Sequence, residues 1–200
     1  MKIALTIAGS DSGGGAGIQA DLKTFHQFDV FGTSAIVVLT AQNTRGVRAV
    51  HAVPESMVAA QLAALAEDLP PDAVKTGMLA TSALVRQVAA AISEYRWSVL
   101  VCDPVMVATS GDRLLDPEAE AVLRNTLLPL ATLITPNLDE AAILTGLEVR
   151  DPAQMEAAGR RLLDLGARNA LVKGGHLDSN VVVDVLVTAA VTNAGEQDAQ

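Results

Sequence analysis

Continuous apolar runs rich in Val, Ile, Leu and Ala alternate with amphipathic stretches along this chain. The runs over residues 2–8, 33–39, 73–75, 98–102, 132–134, 170–172 and 181–187 predict β-strands. Most lack the in–out alternation of a half-exposed strand, so the expected sheet is covered on both faces and mostly parallel. Helical patterns fall between the runs. Ile18, Leu22, Phe25 and Phe28 lie near helical spacing, as do Val58, Leu62 and Leu65 behind Pro54. Asp116-Pro117 and Asp151-Pro152 each read as an N-cap followed by Pro at the first helical position, and Leu162 and Leu163 give the last helix its apolar side. Alternating strands and helices predict an α/β fold with a mostly parallel sheet. No repeat or linker divides the chain. Residues 188–200 turn small and polar without period and read as a tail.

The first run feeds directly into a glycine-rich turn, Gly9 to Asp21, and then into a helix pattern. Strand, glycine turn and helix bring bare backbone close to a ligand and aim helix N–H groups at it. Two common versions are excluded. A P-loop needs Lys directly after its last Gly, and no Gly here is followed by Lys; in the dinucleotide spacing GxGxxG, Ile18 takes the last Gly position. A plain flexible turn is the competing reading, and four glycines at 13, 14, 15 and 17 exceed what one requires.

Composition narrows the function. At 200 residues, 50% of them hydrophobic, the chain suits one globular domain with a sizeable core, built from aliphatics because only 2% are aromatic. The net charge of −9, without a Lys/Arg cluster, argues against nucleic-acid binding. A phosphorylated ligand would need local help from a helix N-terminus, a Lys or a divalent cation. The lone Cys102 lies inside an apolar run and reads as core, with no disulfide framework in one chain and a reducing compartment expected. No signal peptide or membrane span is seen, so a cytoplasmic protein is expected.

Ligands of open parallel sheets bind beyond the carboxyl ends of the strands. Those ends are polar or glycine-rich here: Gly9-Ser10-Asp11; Thr40, Gln42 and Asn43; Thr76, Gly77 and Met78; Asp103-Pro104 with Ser110-Gly111-Asp112; Thr135, Asn137 and Glu140; and Lys173, Gly174, Gly175 and His176. Each has a bland reading. Asp21 alone reads as a solvated helix-face carboxylate, and Gln42 and Asn43 as loop solubilisers. Asn137 and Glu140 have the spacing of a capping box, which stands beside metal or phosphate work. Asp103 follows a buried run, where a carboxylate is costly unless paired or bound to a cation. Lys173 suits an anionic ligand, and a salt bridge would also account for it. His26, His51 and His176 lack metal spacing and read as structural. Gly9 to Gly13 has the G-x-D-x-G frame of a hydrolase elbow with Asp11 as nucleophile, without a convincing late His partner.

Six motifs in order, GSDSGGGAGIQADLKTF, AQNTRGV, KTGML, CDPVMVATSGDRLL, LITPNLDEAAILTG and LVKGGH, resemble the hydroxymethylpyrimidine/phosphomethylpyrimidine kinases of thiamine biosynthesis, in the ribokinase-like superfamily. The resemblance spans residues 3–187. It implies a three-layer α/β/α sandwich and ATP-dependent phosphorylation of 4-amino-5-hydroxymethyl-2-methylpyrimidine and then of its monophosphate. It implies that Gly9, Asp21, Gln42, Met78 and Val105 line the pyrimidine pocket. Asp103, Asn137, Glu140 and Lys173 would lie on the ATP-phosphate side, with Asp103 and Glu140 toward Mg²⁺, directly or through water. A homodimer is also implied. Two departures bear on the expectation. The family's GTGC segment, which supplies the anion hole and the catalytic base, does not occur in residues 1–200, so the domain over 1–187 is expected to be C-terminally truncated, with its catalytic residue unassigned and turnover weak. Thr109 stands where many relatives carry Lys. A pyridoxal kinase and a non-catalytic pyrimidine-binding or regulatory protein are the alternatives.

Overall fold

The computed structural model describes residues 1–106, 115, 117–175 and 181–189. Its elements run β1 (Ile3–Asp11), α1 (Gly17–Gln27), β2 (Phe31–Asn43), β3 (Gly46–Ala52), α2 (Glu55–Asp68), β4 (Ala73–Thr76), α3 (Ser82–Glu94), β5 (Leu100–Cys102), α4 (Pro117–Val122), β6 (Leu133–Ile134), α5 (Leu138–Thr145), α6 (Pro152–Asp164), β7 (Asn169–Val172) and β8 (Val185–Thr188). A short π-turn and a 3₁₀ turn over Leu123–Leu130 join α4 to β6.

The strands form one eight-stranded sheet in the order β3-β2-β1-β4-β5-β6-β7-β8. The six from β2 to β7 are parallel, and β3 and β8 close the edges antiparallel. Both faces are covered: consecutive residues Leu5, Thr6, Ile7 and Ala8 of β1 are all buried, although their side chains alternate between faces. The unbroken apolar runs predict this double coverage, and the three-layer α/β/α architecture is the one that the family resemblance implies. Leu5, Ile7, Val37, Leu100, Ile134 and Val172 form the middle of the core.

Several boundaries differ from the sequence reading. A bulge between Ala8 and Gly9 lets β1 stay paired with β2 to Asp11, so Gly9-Ser10-Asp11 ends the strand rather than following it. β2 runs to Asn43 and turns back into β3, which the apolar pattern does not announce because every β3 residue is exposed. The helix α3 was also not anticipated; Thr81 caps it by accepting from the Leu84 amide, and Leu84, Val85, Val88 and Ile92 are buried. At the far edge β8 occupies only Val185–Thr188, with Val181 and Val182 exposed. Phe28 lies past the end of α1 and is 74% exposed. Asp116, Ser110-Gly111-Asp112, Thr109, His176 and residues 190–200 lie outside the described residues. Among the described residues no helix is long and apolar enough to cross a membrane.

Candidate active site

Parallel-ladder bonds continue past the strand ends and fix the carboxyl edge of the sheet. Gly77 N donates to Ile7 O at 3.0 Å, Asp103 N to Thr76 O at 2.9 Å, Thr135 N to Cys102 O at 2.9 Å, and Lys173 N to Pro136 O at 2.8 Å. Among the described residues, those that sequence reasoning placed at these ends therefore converge on one edge. Lys173 also bridges Asn137 in a single parallel β-bridge.

At the β1–β2 end, the glycine-rich turn is organised from within. The Asp11 carboxylate, 6% exposed, accepts from Gly13 N at 2.7 Å, Ala16 N at 2.9 Å and Gly15 N at 3.0 Å. Burial alone would raise its carboxyl, but the amides of Gly13, Ala16, Gly15 and Gly14 outweigh it and hold Asp11 below the usual carboxylate range. Asp11 thus takes the turn amides of Gly13, Gly15 and Ala16, which precede the first helical residue, Gly17. The same bonds leave Asp11 an unsuitable hydrolase nucleophile. Gly17 follows at φ +57°, where a Cβ would strike the Gly9 carbonyl, so only glycine lets α1 start this close to β1. At Gly9, a Cβ would lie 3.0 Å from Met78 Cε, which puts these two predicted pyrimidine-pocket residues side by side.

Asp21 is not the free helix-face carboxylate that its position alone suggests. Lys75 Nζ donates to it at 2.9 and 3.1 Å, and the Thr6 hydroxyl at 2.6 Å. Sequence reasoning missed Lys75, which reads only as the end of a strand. Gln42 is held by Ser12, whose Oγ donates to Gln42 O at 2.6 Å and accepts from Gln42 N at 2.8 Å. In effect the Ser12 side chain adds one more rung to the β1–β2 ladder after Asp11.

The middle of the edge carries opposite charges. Lys173 Nζ donates to Asp103 Oδ1 at 2.9 Å, and the Thr135 hydroxyl approaches the same oxygen at 3.4 Å. Both readings of Lys173 are compatible with this, since a salt bridge is present and the side chain stays 40% exposed. Asn137 and Glu140 do form the capping box: Glu140 N donates to Asn137 Oδ1 at 2.9 Å, and Asn137 N to Glu140 Oε2 at 2.8 Å. Met106 N reaches Glu140 Oε1 at 3.4 Å, which ties the strand end carrying Val105 to α5. Glu140 is 3% exposed, and burial pushes its carboxyl above the ordinary range against the Asn137 amide and Lys173. Among the described residues no three His, Cys, Asp or Glu side chains form a metal cluster. Asp103 fits a Mg²⁺ ion that keeps most of its waters, because no hydrogen bond to Oδ2 is seen among the described residues. Glu140 fits only a water-mediated role, its oxygens being turned to backbone amides. Cys102 is fully buried, and burial pushes its thiol up to about 12, in keeping with a core residue.

A covered parallel sheet with a cation, a carboxylate and glycines gathered at its carboxyl edge is the arrangement of an α/β protein that takes ligands beyond its strand ends. The sequence profile of the phosphomethylpyrimidine kinase family matches residues 11–198, and the chain belongs to that family. It is 53% identical over 186 residues to the thiamine biosynthesis bifunctional protein ThiED of Geobacter sulfurreducens, covering 93% of this chain and 38% of that protein. It is 49% identical to the hydroxymethylpyrimidine/phosphomethylpyrimidine kinase of Bacillus subtilis, covering 92% of this chain and 68% of that one. The crystal structure of phosphomethylpyrimidine kinase from Clostridium difficile superimposes with a TM-score of 0.90 at 45% identity, over 96% of this chain and 82% of that one. The chain thus spans well under half of the bifunctional relative and about two thirds of the single-function one.

Proposed function

We propose that the protein carrying this chain transfers the γ-phosphoryl group of ATP to the hydroxymethyl group of 4-amino-5-hydroxymethyl-2-methylpyrimidine, and then to the resulting monophosphate. The observation that carries this reading is the division of one sheet edge into two chemically distinct halves. On one side Gly9, Met78, Gln42 and Asp21 combine a bare backbone, a polarizable apolar side chain, an amide and a carboxylate. That set suits an aminopyrimidine, whose ring packs on Met78 and Val105 and whose amine and ring nitrogen meet polar side chains. On the other side Asp103, Asn137, Glu140 and Lys173 are linked by direct bonds and a β-bridge.

Phosphoryl transfer depends on positioning and on stabilising charge. Lys173 would offer its ammonium to the phosphate oxygens, steadied by Asp103 in the absence of nucleotide. Asp103 would hold Mg²⁺ through its second oxygen and water, and Glu140 would add negative charge from behind the capping box. The ion, when bound, neutralises phosphate charge. Asn137 keeps the start of α5 directed at the phosphate side. By family resemblance the protein acts as a cytoplasmic homodimer.

The test is calorimetric titration of the protein with hydroxymethylpyrimidine, paired with pyrimidine-dependent ADP release. Saturable binding is expected, weakened at least tenfold in Gln42→Ala, and Lys173→Met should lower turnover by about 10²-fold or more while pyrimidine still binds. Absence of pyrimidine binding would overturn the reading.

A further inference from the structure

The orientation of the Gln42 amide is decided by a neighbouring hydroxyl. Thr40 and Gln42 are two residues apart on β2, so both side chains lie on the same face of the strand. Thr40 Oγ1 lies 2.7 Å from the Ser10 carbonyl and 3.4 Å from Gln42 Oε1. A hydroxyl carries one proton. The much shorter contact takes it, because a carbonyl can only accept. What Thr40 then presents to Gln42 is a lone pair. An amide oxygen facing a lone pair makes no bond, whereas a half-turn about the last side-chain torsion puts Nε2–H there and satisfies both groups.

We propose that Thr40 is a specificity-determining positioning residue, which takes one Nε2–H of Gln42 and leaves Oε1 beside the second N–H for the ligand. This inference rests on the pyrimidine reading above. The exposed pair, acceptor next to donor, is complementary to an exocyclic amine next to a ring nitrogen. The reversed amide would present the same two groups in the opposite order, and a freely turning one would lose part of its selectivity in ordering itself on binding. Ser12 completes the device by fixing the Gln42 backbone at 2.6 and 2.8 Å, so that both ends of the residue are held by hydroxyls from the β1–β2 end. Thr40 does not touch the ligand; it acts through Gln42.

The experiment measures dissociation constants of wild type, Thr40→Val, Thr40→Ala, Thr40→Ser and Gln42→Ala for hydroxymethylpyrimidine and for the same pyrimidine without its 4-amino group. Thr40→Val and Thr40→Ala should each weaken the amino ligand about tenfold, the worth of one hydrogen bond. They should leave the des-amino ligand within about twofold, and Thr40→Ser should restore wild-type binding. A merely structural role would weaken both ligands together. Equal loss for both ligands, or no loss for either, overturns the inference. If Gln42→Ala fails to weaken the amino ligand, the pyrimidine-pocket assignment itself fails. If Gln42→Ala weakens it and both Thr40 variants do not, only the role of Thr40 falls.

Discussion

Lys75 and Asp21, 54 residues apart in sequence, meet at 2.9 Å where α1 crosses the sheet, with side chains 22% and 18% exposed. The Thr6 hydroxyl completes the coordination of the carboxylate at 2.6 Å. At that depth the pair is neither a surface ion pair of negligible worth nor a fully dry one. Lys75→Met leaves a half-buried carboxylate with one partner and should cost about 1–3 kcal/mol of stability. The double variant Asp21→Asn/Lys75→Met should cost less than the sum of the single changes, because the second substitution removes the charge that the first left unpaired. Urea melts of the four proteins check this; strict additivity would mean that the contact contributes nothing.

The glycine-rich turn should be acid-sensitive through one residue. Asp11 sits below its ordinary value of 3.8 because, although burial opposes ionisation, amide donors within the turn outweigh it. A carboxyl depressed in the folded state stabilises above its unfolded value and loses that contribution as pH falls through the folded one. Stability should therefore decline below about pH 3.8, and Asp11→Asn should flatten that part of the curve while lowering stability at neutral pH. Thermal melts between pH 2 and 7 for the two proteins decide it, and parallel curves would refute the role given to Asp11.

Cys102 should be silent to thiol reagents in the folded protein. It is fully buried in β5, with its thiol pushed up to about 12, so neither access nor thiolate is available at neutral pH. Modification by a chromogenic disulfide should track global unfolding, appearing with denaturant over the same transition as loss of helical signal. Fast labelling of the native protein would show that the strand opens locally.

The strand ends were legible because chemistry and punctuation coincide there. Asp103, Asn137 and Lys173 each follow an apolar run, and the Asn137–Glu140 spacing announces the capping box that the structure contains. Asp151 likewise caps α6 by accepting from the Gln154 amide at 2.8 Å. What could not be read were the partners. That Asp11 would gather amides two to five residues ahead depends on the path of the glycine turn, and glycines leave that path open. Lys75 finds Asp21 only after β4 lies beside β1, so no local pattern marks either as paired. The exposed strand β3 escaped because it has no buried face to impose a period, whereas α3 carried a usable signal in Thr81 followed by Leu84, Val85, Val88 and Ile92.

One small feature at the other edge has a mechanical consequence. β3 pairs with β2 from Val38 to Asn43, Val53 N adds a bond to Val37 O at 3.0 Å, and next to it the edge of β2 is met by a side chain. Gln61 of α2 accepts from Ile36 N at 2.9 Å and donates to Ile36 O at 3.0 Å, imitating a neighbouring strand with its amide. The edge of β2 is thereby occupied at Ile36 before the hairpin begins. β3 can peel away by breaking its own ladder with β2, while β2 keeps its pairing with β1 as far as Thr40 opposite Asp11. The detachable margin of the sheet is thus β3 alone, and Thr40 and Gln42 stand on the platform beside it, held from the β1 side by Ser10 and Ser12.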